Sequence, residues 1–195
     1  MKGVYLIMIL LFGFLLFSCA SDQGRISYHG KLNQSNQNLA VILKPELFDS
    51  FIEMLRRVEE IACHDSIPAI RIKGNRDDKI IGLHNRCMDG VLCILRDVLR
   101  IQDDLIMASQ PEPLDSLSSY IYQHYYNPNK TAYVSDSPFY ASISISYDQH
   151  DLSNLPLLLD LLIDHHDALE LDVPIKVYLD AVTPPPPMVG GERKP

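Results

Sequence analysis

The densest group of reactive side chains lies late in the chain: Asp160, Asp164, His165, His166, Asp167, Glu170 and Asp172, with His150 and Asp151 upstream. Carboxylates and imidazoles can hold a divalent cation, which can activate water for hydrolysis. The spacing limits that chemistry. Asp160 and Asp164 are four apart and share one side of a helix, so they are the pair best placed for an ion. His165 and His166 are adjacent and point about 100° apart. Leu155, Leu158, Leu159, Leu162 and Ile163 mark the opposite side, so the charged residues also read as the solvated face of an amphipathic helix. That is the expectation adopted. A metal-dependent hydrolase using residues 160–172 is the alternative.

No GxSxG, SxxK, HExxH, phosphate-loop or dinucleotide-glycine pattern occurs, so neither an enzyme nor a cofactor is expected. His84 falls near an apolar stripe and reads as a hydrogen-bonded core or boundary histidine.

The chain has four cysteines, Cys19, Cys63, Cys87 and Cys93, without a CxxC pair. Cys87 and Cys93 fall on one expected helix, where six residues of rise separate them by about 9 Å, beyond disulfide reach. A bridge would therefore join Cys63 to Cys87 or Cys93, and Cys87 is the expected partner. Three buried free thiols are the alternative.

A tyrosine group, centred on Tyr122, Tyr125 and Tyr126, offers rigid apolar faces with polar tips, which suits a protein or saccharide contact surface. The net charge of −8 argues against nucleic acid, whose phosphates require a basic face.

The first residues place the rest. Lys2 precedes an apolar run from Val4 to Phe17, too short to span a membrane comfortably, and Ser18 then Cys19 follow. Leu16-Phe17-Ser18-Cys19 resembles the lipobox of bacterial lipoproteins. The resemblance implies a signal peptide over 1–18, a lipid-modified Cys19 as membrane anchor, and a domain held outside the cytoplasm in the cell envelope. Ala20, where inner-membrane retention often uses aspartate, favours an outer membrane. Phe17 is bulkier than the usual residue at its place.

The elements that position these groups follow from periodicity. Residues 19–38 read as anchor and tether, with a weak strand at Ile26 to Lys31. Leu39 to Leu43 is a strand, Pro45 to Cys63 an amphipathic helix, and Ile67 to Ile72 a strand. Two apolar stripes from about Asp78 to Met107 suggest a long central helix, weakened at Gly82 and Gly90 and ended by Pro111 and Pro113. A helix over Leu114 to Tyr126, paired strands at Thr131 to Val134 and Phe139 to Tyr147, a helix from Asn154 to Leu169 and a strand at Val173 to Leu179 complete the domain. Four prolines from Pro184 open an extended tail over 182–195.

Strand, helix, strand thus occurs twice, and Ile67-Pro68-Ala69-Ile70-Arg71-Ile72 resembles Val173-Pro174-Ile175-Lys176-Val177. The expected class is α+β: a mixed β-sheet covered by amphipathic helices, with duplicated β-α-β halves, 39–107 and 112–181, around the central helix. Ile67 to Lys73, then Arg76-Asp77, then Cys87-Met88-Asp89 also resemble the periplasmic domain of the ExbD/TolR family, over about a third of the chain. The apolar leader lacks the acidic residue that family uses with a proton-driven motor. The resemblance therefore implies only a wall- or protein-binding role. The expectation is a non-enzymatic envelope lipoprotein that binds a protein partner, in an immunity-type or ExbD/TolR-like role.

Overall fold

A computed structural model describes residues 25–74, 77–85, 98–127, 137–148 and 152–181. The class is α+β, built on two mixed sheets. The first takes β1 (Ile26–Gly30), β2 (Ala40–Leu43), β3 (Ile67–Ile72) and β4 (Asp78–Gly82), in the order β1-β4-β3-β2. The second takes β5 (Val98–Gln102), β6 (Leu105–Met107), β7 (Pro111–Pro113), β8 (Ser142–Ser146) and β9 (Val177–Leu179), in the order β7-β6-β5-β8-β9. Helices α1 (Phe51–Ala62), α2 (Leu117–Tyr126) and α3 (Leu155–Asp167) pack against them.

Both expected β-α-β units form, and in each the two strands pair in parallel: β2-α1-β3 and β8-α3-β9. Helix α1 starts where Ser50 Oγ accepts the Glu53 amide and the Glu53 carboxylate accepts the Asp49 amide, two otherwise orphaned donors. Phe51, Met54, Val58 and Ile61 form its buried stripe.

The expected helix does not run unbroken from 78 to 107: both of its ends are strands, and residues 86–97 lie outside the described residues. Residues 78–82 are β4, and 98–107 form the β5–β6 hairpin of the second sheet. Leu99 and Ile101 point into the core while Arg100 stays exposed, the period of two that a strand requires. Asp103 and Asp104 make the two-residue turn, both with positive φ. The Asp103 carboxylate accepts the Asp148 amide, and Asp104 accepts from Tyr147 and Asn154. Pro111 and Pro113 end no helix; they lie in the edge strand β7, where a missing N–H is tolerated. The expected half 39–107 is therefore cut, because β5 and β6 belong with β8. The weak strand expected at Ile26 to Lys31, within the 19–38 span, is formed as β1 and pairs with β4 along its whole length. Residues 139–140 fall in a 3-10 turn, Pro138–Tyr140, rather than in the strand. Thr131 to Val134, Gly90 and the 182–195 tail lie outside the described residues.

The chain leaves β4 through Leu83, and His84 then forms a parallel bridge with Tyr178. The His84 amide donates to Val177 O at 2.8 Å, so the first sheet runs on into the second. One core fills both, including Ile70, Ile81, Leu83, Ile101, Ile143 and Leu159. A smaller cluster of Leu32, Ile67, Ala69 and Ile80 backs the other face of the first sheet.

Gly82 stands where the chain after β1 crosses. A Cβ there would lie 2.7 Å from the Leu32 side chain and 2.9 Å from its backbone nitrogen. Gly82→Ala should therefore lower stability by about 1–3 kcal/mol through overpacking. The chemical-denaturation midpoint measures this, and an unchanged midpoint would reject the crossing as a tight contact.

Candidate functional site

Two groups of side chains stand out, one on each side of α3. The first joins α3 to the first sheet. Ser27, His29 and Lys79 share the sheet face that looks toward α3, because Ser27 pairs with Lys79 and His29 stands two residues on. The Lys79 ammonium donates to Asp160 at 2.6 Å and also to Asp164. The two carboxylates that the alternative metal reading would use converge on an ammonium from β4. Burial disfavours the Lys79 charge, and the two carboxylate hydrogen bonds more than offset it, so the group is held above the usual lysine range. Among the described residues no group of three His, Cys, Asp or Glu side chains is placed to hold a metal ion.

Next along the helix, His29 Nδ1 lies 3.8 Å and His166 Nδ1 3.7 Å from the same oxygen, Asp167 Oδ1. His29 Nε2 is 3.0 Å from Ser27 Oγ. His166 is buried, its Nε2 has no hydrogen-bond partner among the described residues, and its ring meets the Tyr125 ring at 5.0 Å. Burial pushes both histidines below their usual range. The Asp167 charge opposes this in each, and Lys79 adds to the depression at His29.

The second group is aromatic. Tyr122 and Tyr126 project from α2 with 48% and 47% of their surface exposed and their ring centroids 5.0 Å apart. Tyr126 Oη donates to Leu169 O at 3.0 Å, which fixes that ring against the loop after α3. Tyr125 is not part of this surface, as the sequence had suggested: it is 1% exposed. It continues the Leu117–Ile121 stripe at a spacing of four, whereas Tyr122 and Tyr126 sit one position round the helix. His124 is also internal and bonds Ser142 O at 2.9 Å, holding α2 to β8.

Phe139 and Tyr140 add a second exposed pair, at 57% and 67%, with ring centroids 5.4 Å apart. Lys176 donates to Phe139 O, and its Nζ lies 4.3 Å from the Phe139 ring centroid. The loop between α3 and β9 thus touches both pairs, through Leu169 and through Lys176. Sequence periodicity treated Phe139 and Tyr140 as strand residues. Ser137-Pro138 was the available turn signal: the Ser137 hydroxyl accepts the Phe139 amide, and Pro138 opens the turn.

Cys63 ends α1 and is disulfide-bonded; its partner lies outside the described residues, as do Cys19, Cys87 and Cys93. His84 is buried, with its ring 5.4 Å from that of Tyr178. No described helix is long and apolar enough to cross a membrane. Comparisons with protein-family models, curated proteins and solved structures gave no match.

The His29–Asp167–His166 group sets a pH dependence. Both histidines titrate lower in the folded chain than in the unfolded one, so the unfolded chain binds more protons as pH falls. The stability tied to the neutral rings is complete above about pH 6.5 and is lost as pH drops through the folded values. Denaturation midpoints measured from about pH 7.5 to 5.5 should decline, and His29→Gln with His166→Phe should flatten that decline. An equal slope in the double variant would assign the acid loss to other groups.

Proposed function

We propose that this chain is a membrane-anchored extracytoplasmic lipoprotein whose α+β domain is a non-enzymatic binding module for a protein partner in the cell envelope. The exposed aromatic side chains carry the binding reading: Tyr122 and Tyr126, and Phe139 and Tyr140, each pair touched by the loop between α3 and β9. Such side chains supply large contact area at low entropic cost, and they are the residues that most often dominate binding energy. Their own chain already holds them in place, through the Tyr126–Leu169 hydrogen bond and the Lys176 contact to Phe139. Less ordering is then left for binding to impose.

The location reading rests on Leu16-Phe17-Ser18-Cys19 as a lipobox, with lipid on Cys19 as the membrane contact. A disulfide at Cys63 fits an oxidising compartment. Cys87 is the partner we assign to it. An immunity-type role and an ExbD/TolR-like role are both specific forms of this module. The hydrolase alternative has less support, because Asp160 and Asp164 are both engaged by Lys79.

Crosslinking in native envelopes, followed by recovery of the C-terminally tagged chain, should yield one dominant protein. Cys19→Ala should reduce its yield. Tyr122→Ala with Tyr126→Ala should reduce it at least about tenfold while leaving the denaturation midpoint nearly unchanged. A preparation without a dominant partner would overturn the binding reading; a yield indifferent to both tyrosines would remove the aromatic face from it. Non-reducing peptide mapping should find Cys63 joined to Cys87, and a Cys63–Cys93 peptide would reverse that assignment.

A further inference from the structure

We infer that the partner's contact is cationic, with an arginine or lysine side chain lying on the Tyr122 and Tyr126 rings. The inference rests on the binding reading above and specifies its chemistry. Three observations lead to it. First, exposed carboxylates stand next in the chain to the elements that hold the rings. Glu170 directly follows the Leu169 carbonyl that holds Tyr126, and Asp172 stands two residues further on. Asp115 is exposed about two turns before Tyr122, in the turn leading into α2.

Second, the molecule already makes this kind of contact at the other exposed pair, where the Lys176 ammonium sits over the Phe139 ring. The chain thus holds a worked example of cation recognition, with Tyr122 and Tyr126 still open to solvent. Third, the chain carries a net charge of −8, which steers cations toward it and repels phosphate-rich or acidic surfaces. A planar guanidinium both stacks on a tyrosine ring and pairs with a carboxylate, so an arginine-bearing protein segment suits the rings and these carboxylates together.

Ring-labelled tyrosine in the full chain, held in zwitterionic detergent, gives a direct readout by NMR. The probe is a short arginine–glycine peptide, compared with a glutamate–glycine peptide of equal length and with a chitin trisaccharide. The arginine peptide should shift the Tyr122 and Tyr126 ring signals saturably, and the shift should weaken several-fold between about 50 and 300 mM salt. Glu170→Gln with Asp172→Asn should weaken binding at least about threefold without moving the other tyrosine signals. Equal shifts with the glutamate peptide, a response to the saccharide alone, or no response to arginine would each overturn the inference. The last result, combined with envelope capture that still depends on Tyr122 and Tyr126, would keep the partner reading and discard only its charge.

Discussion

The backbone pairing between the end of β4 and β9 is the constraint on which the rest depends. β4 is central in the first sheet, bonded to β1 in parallel and to β3 in antiparallel. Two residues later the same chain lies beside β9, where the His84 amide meets Val177 O. Strand edges are otherwise open rows of donors and acceptors. This passage covers the β9 edge and makes one core out of two sheets. Just before this passage, at Gly82, the chain after β1 crosses the strand and brings Leu32 against it, leaving no room for a side chain.

Helical periodicity located α1, α2 and α3 well, because each buries one stripe and exposes the other. The two β-α-β units were equally readable, since a short apolar strand, a helix and a Pro-led strand occur in the same order twice. The two ends of the segment from Asp78 to Met107 misled for a definite reason. The apolar residues of β4, β5 and β6, such as Ile80, Ile81, Leu99, Ile101 and Ile106, happen to fall at spacings that also match a helical stripe. The distinguishing marks were small: the alternation of Leu99, Arg100 and Ile101, and two aspartates at a tight turn where glycine or asparagine is the stronger signal.

The candidate sites divide in the same way. That Asp160 and Asp164 share a helix side is visible in their spacing, but the group they face is not. Lys79 is 81 residues away and reaches them only because β4 lies under α3. His29 and His166 meet at Asp167 for the same reason, from β1 and α3. On α2, residue type alone could not separate Tyr125 from Tyr122 and Tyr126. The buried stripe decides it, and that stripe is defined by what α2 packs on.

Helix α3 ties these features into one unit. One side holds β1 and β4 through Lys79 and Asp167, while the loop after it fixes Tyr126 and Phe139. β1 is the first described strand, and its His29 meets Asp167 of α3. Partly exposed ion pairs are individually weak, so this contact does not lock the strand by itself. The continuous parallel ladder with β4 does the holding, and the polar group gives it an acid sensitivity.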